Sequence, residues 1–162
     1  MNDIVKSVTE RIGHKDVNET AAELMKTLLE VHTNDRFVIV VSRDCPLNTR
    51  YSGHPNDVYV NADHKILVYR SKTIHSMNAT ERDLWGIAQR NASVQTCQSP
   101  YLGDIIPSVY NVGFAFYRQS DCDIAIEYDQ KLFDMKEPFD KTSDKALTCV
   151  IVPLMRPGKV LR

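Results

Sequence analysis

Five consecutive apolar residues, Phe37-Val38-Ile39-Val40-Val41, bracketed by Arg36 and Ser42, constrain this chain more than any other feature. Four of the five are β-branched, which suits a pleated strand better than a helix. No polar residue alternates with them, so neither face of the strand is prepared to meet water. Residues 36–42 therefore read as a strand covered on both faces and central in its sheet. The same five residues are the longest apolar run in the chain, far below the ~18 needed to span a membrane.

Helical periodicity precedes the run. Ile4, Val5, Val8 and Ile12 share one face and Gly13 stops them, which predicts a short amphipathic helix over 3–12. Ala21, Leu24, Met25, Leu28 and Val31 recur at three- and four-residue spacing, with Glu23, Lys26 and Glu30 elsewhere on the cylinder. That pattern predicts a helix over 17–32, with Asp16-x-x-Glu19 as its capping box.

Hairpin signals follow it. Asp44-Cys45-Pro46-Leu47-Asn48 ends the central strand, and Ser52-Gly53-His54-Pro55-Asn56 marks a loop. Residues 57–60 and 65–70 flank Asn61-Ala62-Asp63-His64 and predict a hairpin with a four-residue loop. Thr80-Glu81-Arg82-Asp83 starts a helix reaching residue 90, with Leu84, Trp85 and Ala88 inward. Residues 91–107, with Pro100, Gly103 and Pro107, read as loop or packed irregular structure. A second hairpin is expected from 109–118 and 123–128 around Gln119-Ser120-Asp121, with one markedly aromatic face. Residues 130–145 read as loop or short helix, and 146–152 as a last strand stopped by Pro153. Helices first and hairpins afterwards argue for one α+β domain over 1–162: two N-terminal helices packed on a mainly antiparallel sheet, a single pair of layers.

The 20 Lys plus Arg nearly balance the 21 Asp plus Glu, for a net charge of −1. This bulk balance argues against a nucleic-acid binder. The balance is not local. Residues 121–140 hold seven acids (Asp121, Asp123, Glu127, Asp129, Asp134, Glu137, Asp140) against Lys131 and Lys136, a local −5 that leaves +4 elsewhere. An acidic strand and loop beside Phe133 and Phe139 suit a basic protein partner. A solvated loop that keeps the protein soluble is the plainer reading of the same residues.

Catalytic and metal signatures are sparse. Cys45, Cys97, Cys122 and Cys149 are far apart in sequence, so no local zinc-ligand pair exists. Asp57, Asn61, Asp63 and His64 crowd one hairpin, but without the glycine and distal glutamate of a calcium loop they read as turn formers, and no metal or cofactor is expected. The glycines form neither a Walker-type nor a dinucleotide-binding loop, and no G-x-S-x-G or H-E-x-x-H occurs. Cys45, at the end of the central strand, with His54 or His64 as a base, is the weak nucleophilic candidate. Cys149 lies within an apolar strand and reads as structural. The aromatic face of 109–118 carries only Arg118 as a base, too few for nucleic-acid stacking.

A helix, then Phe37–Ser42, then the 57–70 hairpin give residues 21–72 an order and spacing similar to LC8-type dynein light chains. The glycine-rich stretch after that family's first strand is missing, and the last 90 residues have no counterpart. Arg82-Asp83-Leu84-Trp85-Gly86-Ile87 resembles the tryptophan region of TPM domains, whose next strand follows closely rather than at residue 109. No family is assigned on these segments and no residue role is carried over.

Three functions are therefore expected as alternatives. The first is a non-catalytic interaction or assembly module, binding a partner through a sheet edge and an acidic surface formed by Asp129, Phe133, Asp134, Glu137, Phe139 and Asp140. The second is a small Cys/His-dependent hydrolase or transferase. The third is a self-assembling subunit of a larger particle, a homo-oligomer. A native Met1 without a signal-like start implies the cytoplasm. Three N-x-[ST] sequons, at Asn18, Asn78 and Asn91, and an even cysteine count support a secreted alternative.

Overall fold

The structure, a computed structural model, describes residues 2–12, 16–43, 57–60, 64–93, 109–117, 123–128, 143–144 and 147–155. It is an α+β fold. Helices α1 (Asn2–Ile12) and α2 (Val17–Val31) precede strands β1 (Asp35–Arg43), β2 (Asp57–Val60) and β3 (His64–Lys72). A 3-10 turn (Ile74–Ser76) leads into α3 (Ala79–Ser93), then β4 (Val109–Tyr117), β5 (Asp123–Tyr128), β6 (Ser143–Asp144) and β7 (Leu147–Met155).

The apolar run is the centre of the molecule. β1 lies inside a four-stranded antiparallel sheet of order β2-β3-β1-β5. Strand alternation splits its side chains between two cores. Phe37, Ile39 and Val41 meet Val5, Val8, Ala21, Leu24 and Leu28 from α1 and α2. Val38 and Val40 meet Trp85 and Ala88 of α3 with Leu154 and Met155 of β7. All five residues of the run are fully buried, which is what the lack of polar alternation requires.

The two N-terminal helices pack on the sheet as their periodicity predicts. Val31 departs from the pattern: it is 57% exposed in the last turn of α2, where the helix leaves the sheet through its C-cap His32. Asp16 caps α2 by accepting the Asn18 amide at 3.1 Å, so the cap uses Asn18 rather than the expected Glu19 box. α3 together with β7 covers the opposite face of the sheet, adding a layer to the expected pair.

The first hairpin forms with the expected register, Val60 opposite Lys65. β3 starts earlier than expected, at His64, because its pairing with β1 continues to Arg43 opposite His64.

The second hairpin does not form. β4 pairs with β7 in a three-stranded sheet of order β4-β7-β6, whereas β5 pairs with β1. Local alternation identified both strands, but each pairs with a strand distant in sequence and not with the other. Pro153 does not stop the last strand either: β7 continues to Met155. The Met155 amide donates to Ser71 Oγ of β3 at 3.0 Å, on the side away from β4. Amides two residues apart face the same edge, so the missing N–H of Pro153 removes no bond from the β4 ladder. Ser71 is fully buried, and its bond to Met155 ties the two sheets together.

Candidate functional site

β5 is an outer strand of the four-stranded sheet. It ladders to β1 from Val38 opposite Tyr128 to Arg43 opposite Asp123, and among the described residues no strand lies on its other side. Its pleat separates two chemistries. Ile124, Ile126 and Tyr128 pack against the core shared with α3 and β7, while Ala125 belongs to the core beneath α1 and α2. Asp123 and Glu127 share the face of Ala125; Asp123 is exposed and Glu127 half-buried.

The acidic segment of the sequence thus starts on a sheet edge. The residues named above for partner binding (Asp129, Phe133, Asp134, Glu137, Phe139 and Asp140) lie outside the described residues. A period-two acid/apolar alternation over 121–129 was legible in the sequence and marks the strand more sharply than net charge does.

The nucleophilic candidates fare differently. His64 is buried at the start of β3, directly across from Arg43, and Arg43 is in turn across from Asp123. His64, Arg43 and Asp123 therefore form one row across three strands, on the face that α1 and α2 cover. Cys45 follows Arg43 by two residues, but Cys45 and His54 lie outside the described residues. Cys149 sits on β7 opposite Ala115, within an apolar strand as read. Among the described residues, no group of three His, Cys, Asp or Glu side chains has a metal-holding arrangement, and no helix is long and apolar enough to cross a membrane.

Besides the exposed Arg11–Glu23 pair between α1 and α2, two less exposed ion pairs connect elements among the described residues. Asp35 at the start of β1 accepts Arg70 Nε of β3 at 2.6 Å, and the Arg70 Nη2 group reaches the same carboxylate oxygen. His32 Nδ1 lies 3.5 Å from Arg70 Nη2, so this cluster closes the C-terminus of α2 onto the sheet. The second pair is Lys72 with Glu81, 2.8 Å apart. Burial raises the Glu81 carboxyl pKa, but the Lys72 hydrogen bond and charge and the Asn78 amide outweigh it, and the net shift is downward. Glu81 and Asn78 form a reciprocal capping box: the Glu81 amide donates to Asn78 Oδ1 at 2.8 Å, and the Asn78 amide donates to Glu81 Oε1 at 3.1 Å. The motif Asn78-x-x-Glu81 was readable but was masked by the more obvious Thr80 start. Two of the three sequons thus begin helices, Asn18 beside the α2 cap and Asn78 as the α3 cap.

These clusters bind elements to one another. The β5 edge carries Asp123 and Glu127, and among the described residues β1 is its neighbouring strand.

A family described as Protein of unknown function (DUF684) matches residues 1–116, from α1 into β4, so β5 and the acidic segment lie beyond the matched span. No curated protein and no solved structure matches the chain.

Proposed function

We propose that this chain, which belongs to the DUF684 family, is a non-catalytic interaction or assembly module that binds a basic protein partner through a sheet edge and the acidic 121–140 surface. The observation that carries this reading is the position of β5: among the described residues, the segment with a local charge of −5 contributes the last strand of the four-stranded sheet. An outer strand offers a row of backbone donors and acceptors for which a partner strand is the natural complement. Acidic side chains beside it discourage pairing with the wrong chains, and they speed encounter with basic ones.

The test is charge reversal. The Asp134→Lys, Glu137→Lys, Asp140→Lys triple variant is compared with the unaltered protein as bait for a purified basic protein such as a histone, over a salt series. Loss of retention in the variant, and salt-sensitive retention by the unaltered chain, is the expected result. Equal retention by the two baits overturns the proposal.

A further inference from the structure

The sequons stand in different settings. A folded N-glycosylation site has an Asn side-chain nitrogen free to carry sugar, an accessible hydroxyl two residues on, and open space for a bulky hydrated chain. Asn18 is exposed, but its Nδ2 donates to Asp16 Oδ1 at 3.3 Å. The hydroxyl of its sequon belongs to Thr20, which is buried and donates to the Asp16 carbonyl at 3.1 Å. The Asn91 sequon lies in the last turn of α3.

Asn78-Ala79-Thr80 is arranged the other way. All three residues are exposed. Asn78 Oδ1 accepts the Glu81 amide at 2.8 Å, and the Asn78 amide donates back to Glu81 Oε1 at 3.1 Å, so the side chain is fixed. Asn78 Nδ2 is bonded to no described residue. A trigonal amide whose oxygen faces the first turn of α3 turns its nitrogen away from that turn, so the cap engages the oxygen and leaves the nitrogen unused.

We propose that Asn78 is an N-glycosylation site and that Asn18 is not. The donor is an oligosaccharide carried on a lipid pyrophosphate. Asn78 Nδ2 loses a proton to a base of the transferase and bonds the anomeric carbon. The bond from that carbon to the pyrophosphate oxygen breaks, and the lipid pyrophosphate leaves with the electron pair. The product is still an amide, and its Oδ1 is still an acceptor. The Glu81 amide therefore keeps its partner, and sugar at Asn78 costs the fold no hydrogen bond. At Asn18 the sugar competes for the space beside Asp16 Oδ1. The proposal is independent of the interaction reading above, and an occupied Asn78 places the chain on the secretory route.

The test expresses the full chain in animal cells behind a cleavable secretion leader. Retained and secreted forms are pooled, and only chain that has lost its leader is counted. Denatured protein is treated with peptide N-glycosidase in heavy-oxygen water, which leaves a labelled Asp wherever a glycan stood. Trypsin then puts the three sequons on separate peptides, 16–26, 73–82 and 91–118. Labelled Asp is expected at 78 in most molecules and at 18 in few. Thr80→Ala, which spares the cap, should abolish the label at 78, and Thr80→Ser should retain it.

An unlabelled Asn78 in leader-processed chain overturns the site, as does a label at 78 that survives Thr80→Ala. Labelling at 18 as complete as at 78 overturns the choice between the two sequons.

Discussion

Lys72 at the end of β3 and Glu81 in the first turn of α3 are joined by a 2.8 Å ion pair, in which the Glu81 side chain is only 4% exposed. The same carboxylate accepts the Asn78 amide, so one buried charge both caps α3 and fixes it to the sheet. Replacing Lys72 by Met leaves that carboxylate buried with only the amide, at a cost of about 1–2 kcal/mol. Urea unfolding followed by Trp85 fluorescence measures it; an unchanged midpoint would show that Lys72 adds nothing.

The pH dependence has a defined sign. The folded-state pKa of Glu81 lies below its ordinary 4.5, so the native state holds the proton less tightly than the unfolded chain does. Its stabilisation is fully present above pH 4.5 and is lost as pH falls through the folded value. Glu81→Gln should flatten the acid limb of stability against pH, with little change of slope near neutrality. An identical acid limb in the two proteins would contradict this assignment.

Asn78 is both a sequon and the N-cap of α3. Asn78→Ala should lose about 1 kcal/mol, whereas Asn78→Asp, which retains the accepting oxygen, should stay within a few tenths. Thermal unfolding of the two variants separates the cap from any effect of removing the sequon, since both substitutions remove it.

Ser71→Ala deletes the acceptor of the Met155 amide, 84 residues away in sequence. A buried donor left without a partner costs about 1–3 kcal/mol. The accompanying sign is faster hydrogen exchange at the Met155 amide, because this bond joins the two sheets. Global destabilisation with normal exchange at Met155 would count against the tie.

Trp85 is the sole tryptophan, it is buried, and its indole N–H has no hydrogen-bond partner among the described residues. Trp85→Phe removes an unsatisfied donor along with some volume, so its cost should stay below about 1.5 kcal/mol. Trp85→Ala should cost about 3–5 kcal/mol by opening a cavity against Val38, Tyr69 and Leu154. Circular dichroism during denaturation reads both; comparable losses would mean that the indole N–H is satisfied.

The elements of this protein were legible where local patterns are strong. Phe37–Val41 announces a doubly covered strand, because only burial on both faces tolerates five apolar residues without alternation. Val5, Val8, Leu24 and Leu28 announce the helix faces that cover one side of it. Even the α3 cap was written in Asn78-x-x-Glu81.

Partner choice was not legible. Val109–Tyr117 and Asp123–Tyr128 look like two arms of one hairpin, yet β4 joins β7 and β5 joins β1. Pairing in a sheet depends on which apolar faces meet across the whole core, and a short polar turn between two strands does not outweigh that. The same reason hid the Asp35–Arg70 and Lys72–Glu81 pairs, which exist through register and helix placement and not through spacing. For the candidate site, the sequence by itself determined that residues 121–129 alternate acid and apolar character. Only the tertiary structure decided that 123–128 pair with β1 and stand last in the order of the described strands, because a strand's neighbours are set by the whole core and no residue's own chemistry records them.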